Sequence, residues 1–158
     1  MTLLFPPRGK EESNLVCTSS QLDEILIRVA KPGRYVGGEY NSVHKDAASV
    51  AIRAALAFPD VYEVGMSSLG FQVLYDRMNR RADTFCERVF APWPDMEAEL
   101  RKAGLLLYTL ETCTSLRDLD LLGFSLGSET TYTNVLTCLD LGGIPLRSAD
   151  REESHPIV

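Results

Sequence analysis

The chain has 158 residues, of which 45% are hydrophobic and 24% are charged, and its formal net charge is −6 at pH 7. This composition is typical of one globular domain and excludes a long disordered tract. The acidic balance argues against a nucleic-acid partner, because binding to phosphates requires clustered Lys and Arg. No apolar run approaches the ~20 residues of a membrane-spanning helix, and the proline-rich start is too short for a signal peptide. We therefore expect a cytoplasmic protein that has no membrane partner.

The first third of the chain has little regular patterning. Residues 1–18 contain prolines and a charged run without an apolar period, which predicts a loose N-terminal arm. Residues 19–49 are expected to form a helix and a glycine-rich loop that packs on the rest of the domain. Ser20 opens the helix, an apolar face follows at helical spacing, and Pro32-Gly33 ends it. The loop of residues 31–41 contains too many glycines for a regular element.

Residues 50–158 alternate between strand patterns and helix patterns. Val50–Phe58 is nearly continuous in apolar residues, which is typical of a central strand covered on both faces. Further strands are predicted at Thr84–Ala91, Leu105–Leu110 and Leu119–Leu126, with another beginning at His155–Val158, and helices at 67–80, after Pro94 and after Ser128. This alternation predicts an α/β fold with a doubly wound, open parallel sheet of the Rossmann or flavodoxin type. We expect this sheet to be incomplete at Val158.

Two loops are the candidate ligand site. Both follow predicted strands, and the carboxyl ends of parallel strands lie on one edge of a sheet, so the loops should face one cleft. Helix N-termini at such an edge favour anionic groups. The residues expected to contact a cofactor are Met66, Ser67, Ser68 and Gly70 in the first loop, and Ser125, Gly127 and Ser128 in the second. No catalytic residue and no metal ligand is predicted.

Structural roles explain several conspicuous residues equally well. Gly65 and Gly70 suit a tight turn between strand and helix as well as a ligand contact. Trp93, which lies between two prolines, is typical of a packing anchor where a strand ends. Cys86 and Cys138 lie among apolar residues and are expected to be buried, and the four cysteines include no Cys-x-x-Cys pair.

Several runs of the chain are similar to one known family. They are Lys31-Pro-Gly-Arg-Tyr-Val-Gly-Gly-Glu-Tyr-Asn41, Phe58-Pro-Asp-Val-Tyr-Glu-Val-Gly-Met-Ser67, Cys86-Glu-Arg-Val-Phe-Ala-Pro-Trp-Pro-Asp-Met96, Leu121-Leu-Gly-Phe-Ser-Leu126 and Tyr132-Thr-Asn-Val-Leu136. They resemble the N-terminal region of a family of radical S-adenosylmethionine proteins that have a cobalamin-binding domain. The resemblance covers roughly residues 20–150 and keeps the order of the motifs.

The resemblance implies a cobalamin-binding-like domain at residues 50–158 that positions a corrinoid for a downstream radical domain of the same chain. S-adenosylmethionine and a [4Fe-4S] cluster would belong to that downstream domain. The 158 residues alone should therefore be inactive, whereas the full-length protein would be a radical enzyme. Cobalamin domains of the flexible-tail type carry Asp-x-His-x-x-Gly after the first strand, with the histidine as the lower cobalt ligand. The corresponding loop here, Pro59–Gly70, contains no histidine. Any corrinoid would therefore be held without a protein imidazole.

Two other functions stay open. A structural or docking domain that has lost cofactor binding agrees with the missing histidine. A flavodoxin-like binder of a nucleotide or flavin agrees with the predicted fold. We also expect self-association through an incomplete edge of the sheet, because unpaired strand groups attract further strands.

Overall fold

A computed structural model describes residues 19–158 of the chain, and its central feature is a three-stranded parallel sheet. Strand β1 spans Ile52–Phe58, β2 spans Thr84–Phe90 and β3 spans Leu121–Phe124. The strands lie in the order β2-β1-β3, with both neighbours parallel to β1. The predicted α/β fold with an open parallel sheet of the Rossmann or flavodoxin type is confirmed, and the apolar run predicted as the central strand is the central strand.

Five α-helices flank the sheet within the described residues. They are α1 (Ser19–Leu26), α2 (Tyr62–Ser67), α3 (Leu69–Asn79), α4 (Pro94–Ala103) and α5 (Tyr132–Leu141). Apolar side chains of α1, α4 and α5 form a core on one face of the sheet, and those of α3 form a core on the other. The sheet is therefore covered on both faces, as a parallel sheet normally is.

Strand β1 shows how the sequence produces this layering. Side chains alternate between the two faces of a strand, so Ala55 and Ala57 join the core of α1, α4 and α5. Leu56 and Phe58 join the opposite core, where they pack with α3. Because both faces are covered, the strand needs apolar residues throughout, and that is why it has no polar alternation.

The strand order reverses direction at β1, so that the connections after β1 and after β3 lie on opposite faces of the sheet. The chain leaves β1 through α2 and α3 to reach β2, and it leaves β2 through α4 to reach β3 on the other side of β1. Helices α3 and α5, which follow β1 and β3, consequently lie on opposite faces of the sheet. In open α/β sheets, ligands bind outside the carboxyl ends of the strands at such a switch point.

The helix predicted over residues 67–80 is confirmed as α3 (Leu69–Asn79), and a further short helix, α2, precedes it. Helix α2 begins at Tyr62, and the chain bends at Ser68, whose backbone is extended with ψ of 107°. The Ser68 hydroxyl then accepts a hydrogen bond from the Phe71 backbone N–H at 3.5 Å and caps α3. The sequence did not predict α2 because its glycine and serine residues favour a loop.

The strand predicted at Leu105–Leu110 does not form. Tyr108 makes an isolated antiparallel bridge with Ser115, because the chain turns back on itself just after Leu110. The Leu110 backbone N–H bonds to the Arg88 carbonyl of β2 at 2.9 Å, but the next partner of β2 is the Glu111 side chain. An apolar run covers the edge of the sheet here without building a ladder.

Three of the other predicted strands are present but shorter than predicted, and the one at His155–Val158 is reduced to a single bridge. The third strand is limited to Leu121–Phe124. Ile157 lies where the sequence predicts a strand to begin, and it forms an isolated parallel bridge with Leu121. Its carbonyl accepts a hydrogen bond from the Leu122 N–H at 2.8 Å.

The expected loose arm, residues 1–18, lies outside the described residues. Among the residues that are described, no helix combines the length and the apolar character required to cross a bilayer. The boundaries expected after residues 18 and 49 stay predictions.

Candidate functional site

The carboxyl ends of β1 and β3 bring the two predicted loops side by side. The Ser125 N–H continues the ladder by donating to the Ala57 carbonyl at 2.8 Å. Beyond it, the Asn134 side-chain amide at the start of α5 donates to the Pro59 carbonyl at 2.9 Å. The gap between the two loops is therefore bridged by a hydrogen bond at the switch point.

Local hydrogen bonds engage three of the four serine hydroxyls predicted to bind a cofactor. The Ser67 hydroxyl donates to the Val64 carbonyl at 2.7 Å, and the Ser68 hydroxyl caps α3. The Ser128 hydroxyl accepts from the Thr130 N–H at 3.3 Å and caps a short 3-10 helix before α5. These residues lie on the expected edge, and whether they contact a cofactor stays a prediction.

The remaining predicted residues have different surroundings. Gly70 and Gly127 are exposed, and a Cβ atom at either would meet nothing within 4 Å. Met66 differs from them because its side chain turns inward, with its sulfur 3.5 Å from Nη1 of the buried Arg88. Gln72 also donates to this sulfur at 3.4 Å. The Met66 side chain therefore contacts the buried Arg88 and does not extend along the exposed edge.

Gly65 has neither of the roles considered for it. It lies buried inside α2, where a Cβ atom would overlap the ring of Phe90 and lie 3.1 Å from the Cβ of Phe58. The glycine lets α2 approach the ends of β1 and β2 closely. Phe90 in turn contacts Phe71 and Tyr62, with ring centroids about 5.4 Å apart in both pairs. The space beneath α2 is therefore filled with aromatic rings.

Large apolar side chains are exposed at the carboxyl edge of the sheet. One or more follows each of the three strands, and all lie at the start of a helix or in the loop before one. They are Val64 (44% exposed), Leu69 (78%), Trp93 (51%), Leu126 (51%) and Tyr132 (53%). We call these five residues the apolar rim. Exposed apolar residues that share one edge in this way are typical of interaction surfaces in soluble proteins.

Trp93 is held in place on this rim rather than buried as a packing anchor. Its backbone N–H donates to the Tyr35 hydroxyl at 3.1 Å, and the Arg34 guanidinium lies 5.3 Å from the centre of its ring. Arg34 is itself fixed by Glu63 at 2.9 Å. The Glu63 backbone N–H, and then Arg34 and Lys31, hold the pKa of the Glu63 carboxyl below its ordinary value. The Trp93 backbone is thus held by Tyr35, and its indole lies beside a guanidinium that an ion pair fixes.

A buried arginine network lies beneath α3, and the sequence analysis missed it. The Arg88 side chain has no exposed surface, and its Nε donates to the equally buried Glu111 carboxylate at 2.7 Å. Its Nη2 donates to Glu39 at 3.1 Å and to the Ser42 hydroxyl at 2.8 Å. The Tyr75 ring stacks on the guanidinium at 4.5 Å. Burial raises the pKa of Glu111, although Arg88 opposes the shift.

A second buried ion pair lies on the opposite face of the same strand. Arg53 donates to the fully buried Glu87 carboxylate at 2.9 Å. Three threonine hydroxyls complete the network around this pair: Thr109, Thr112 and Thr114. The adjacent residues Glu87 and Arg88 therefore carry opposite charges to opposite faces of a buried strand. That charged pair, inside an otherwise apolar run, was the sequence signal for both networks.

The described residues show no grouping typical of metal or thiol chemistry. No three His, Cys, Asp or Glu side chains between residues 19 and 158 are arranged to hold a metal ion. Cys86 and Cys138 are buried as predicted, and burial raises the pKa of each thiol to about 12. Thiols with such pKa values are not nucleophilic near neutral pH.

Two concave regions lie away from the predicted site. One is a cavity of about 10 Å³, the volume of a single water, between Tyr35, Met96 and Tyr108. The other is an open groove of about 350 Å³ between α3 and the loop that precedes β1. Asn41 and Val43 of that loop and Gln72 of α3 form part of its wall. Neither is lined by the loop residues predicted to bind a cofactor.

Comparison with known proteins gives one family match. The family described as Radical SAM proteins, N-terminal, matches residues 70–158, which is more than half of the chain. The match begins in α3 and includes β2, β3, α4 and α5, whereas β1 and α2 precede it. No curated protein and no solved structure matches the chain significantly.

Proposed function

Because the chain belongs to the N-terminal regions of radical S-adenosylmethionine proteins, we propose that it is a docking domain whose carboxyl edge packs against the radical domain of the same protein. The S-adenosylmethionine and the [4Fe-4S] cluster would be bound by that radical domain. The present domain would position it and shield it from water.

The observation that carries this proposal is the apolar rim. Its five residues come from the segments that follow all three strands, so they face one side of the molecule. Burying a large apolar side chain at an interface stabilises association, and fixed aromatic residues contribute most. Trp93 is such a residue, because Tyr35 and Arg34 hold it before any partner binds. A preorganised side chain loses little conformational entropy on docking.

The residues at this edge do not fit a corrinoid. A corrinoid that is bound in the flexible-tail manner needs space for its tail beneath the loop after the first strand, and its cobalt takes an imidazole from that loop. The Phe90 ring fills the space beneath Gly65, and the hydrogen bond from Asn134 to Pro59 closes the gap between the loops. The loop itself contains no histidine. Cobalamin binding stays a prediction that only the resemblance supports.

A charge placed in the rim tests the docking proposal in the whole protein that carries both domains. Leu126→Asp puts a carboxylate in the rim, which should separate the two domains and increase the radius of gyration in small-angle X-ray scattering. Leu146→Asp is the matched control. Leu146 has a similar exposure, 48%, but follows the other end of α5, away from the rim.

Circular dichroism establishes that both variants remain folded. The proposal expects an increase in the radius of gyration for Leu126→Asp alone. Equal radii for the wild type and both variants would show that the rim is not an interdomain contact.

A further inference from the structure

The outer edge of β2 is a place where the sheet could be extended by another chain. This edge faces away from β1 and presents backbone groups of Thr84, Cys86 and Arg88. Such groups at the edge of an open sheet pair readily with a further strand. In this domain five of them are already bonded within the molecule, chiefly by side chains.

Asn79 takes the place of a neighbouring strand at the middle of this edge. Its Nδ2 donates to the Cys86 carbonyl at 2.9 Å, and its Oδ1 accepts from the Cys86 N–H at 3.0 Å. A carboxamide carries the same donor and acceptor as a peptide group. One buried side chain at the end of α3 therefore makes both hydrogen bonds that a paired strand would make at Cys86.

Lys45 closes the beginning of the edge. Its Nζ donates to the Thr84 carbonyl at 2.6 Å, and also to the Asn79 and Arg81 carbonyls at 2.7 Å each. The ammonium group thus fastens the C-terminal end of α3 to the strand. A lysine ammonium group held beside an edge strand also opposes pairing, because a second chain would have to bury its charge.

Glu111 and the residue before it close the far end of the edge. The Glu111 carboxylate accepts from the Arg88 N–H at 2.7 Å, and the Leu110 N–H donates to the Arg88 carbonyl at 2.9 Å. Glu111 is kept in this position by its second bond, which it accepts from the Arg88 guanidinium.

We infer that Lys45, Asn79 and Glu111 form an edge cap that prevents β2 from pairing with β2 of a second copy of this chain. The three side chains come from three separate segments and all bond to the backbone of one strand. The cap makes the two sides of the sheet unequal. Strand addition is blocked beside β2, while the opposite side, beyond β3, pairs with Ile157 of the same chain.

Removing the cap tests this inference by sedimentation velocity of the whole protein over a range of concentrations. Asn79→Ala frees both Cys86 groups, and Lys45→Ala frees the Thr84 carbonyl. We expect Asn79→Ala to raise the self-association constant at least tenfold, with a smaller increase for Lys45→Ala. Asn134→Ala is the matched control, because its amide also bonds to a backbone carbonyl, Pro59, but lies away from this edge.

Hydrogen exchange identifies the interface. In the associated form of Asn79→Ala, the Cys86 amide should become protected as the concentration rises, and the control should show no such change. The inference is overturned if the folded variants associate no more than the wild type, or if they associate while the Cys86 amide exchanges freely. If Asn79→Ala does not fold, the comparison of Lys45→Ala with the control decides.

Discussion

Glycine residues in α2 and α3 distinguish close packing from open surface. Gly65 has no room for a Cβ atom, because the Phe90 ring and the Cβ atom of Phe58 occupy that space, whereas Gly70 has free space around it. Gly65→Ala should therefore destabilise the fold by about 1–3 kcal/mol, the usual cost of overpacking. Gly70→Ala should be neutral or stabilising by up to about 1 kcal/mol, since alanine favours a helix.

Urea unfolding of both variants measures this difference. A Gly65→Ala variant as stable as Gly70→Ala would mean that α2 does not pack against Phe90 as described.

The buried Glu111 carboxyl makes stability depend on pH in an unusual direction. Its pKa is raised in the folded state, chiefly by burial, so the folded protein binds this proton more readily than the unfolded chain. The resulting stabilisation is complete below the ordinary pKa of 4.5 and is lost as the pH rises through the raised value. Ordinary surface carboxyls such as Glu63, with a lowered pKa, give the opposite trend.

Glu111→Gln isolates this effect. The free energy of unfolding of the wild type, minus that of the variant, should fall as the pH rises above 4.5, with a slope of at most about 1.4 kcal/mol per pH unit for one proton. Denaturant titrations of both proteins at several pH values measure this difference in the free energy of unfolding. A difference that is constant or that rises with pH would contradict the raised pKa.

The limits of sequence prediction are clearest at the residue scale for Arg88. Its position in a buried strand could be predicted from the apolar residues around it. Its partners could not, because Glu39, Ser42, Tyr75 and Glu111 are distant along the chain and meet only through the crossover and the covering loop. Most predicted site serines lie where expected because parallel strands end on one edge. The cap at Ser68 could also be predicted, because a serine before an apolar helical pattern is typical of a helix start.

Among the elements, the glycine-rich loop before β1 makes a close contact with the segment after α4. Gly37 has a φ of 65°, and a Cβ atom there would overlap the carbonyl oxygen of Leu110. Gly38 also has a positive φ, 83°, but it faces open space. A substitution at Gly38 therefore tests backbone strain alone, whereas a substitution at Gly37 tests backbone strain and close packing together.

Alanine at either position should cost about 1–2 kcal/mol for the left-handed backbone. Gly37→Ala should cost about 1–3 kcal/mol more, because the loop must move away from Leu110. Chemical unfolding of the two variants gives the comparison. Equal losses would show that the loop does not rest on Leu110.

The outcomes for the elements follow from how each one is stabilised. Strand β1 was predictable because burial on both faces requires apolar residues throughout. Helix α4 was predictable because Pro94 begins it and Gly104, with a φ of 67°, ends it. The segment Leu105–Leu110 is as apolar as a strand, but forming a strand depends on which backbone lies beside it. There, Glu111 and the turn after it occupy the edge of β2.

On the scale of the whole molecule, the three strands direct their following segments to one edge, and that edge carries the apolar rim. The rim and the filled space beneath α2 are the two observations that support the proposed docking. The outer edge of β2 differs from the rim, because side chains already bond to its backbone groups. This edge is therefore not expected to take part in association. We therefore expect contact with a radical domain to depend on side chains of the rim and not on strand pairing.

Hydroxyl-radical footprinting of the whole protein tests the docking of this edge most directly. Trp93 and Tyr132 are about half exposed in this domain, and Tyr40, which lies off the rim, is fully exposed. If the radical domain covers the rim, Trp93 and Tyr132 should be oxidised several-fold more slowly in the wild type than in Leu126→Asp, while Tyr40 is oxidised at the same rate in both. Equal oxidation of Trp93 and Tyr132 in the two proteins would contradict the account.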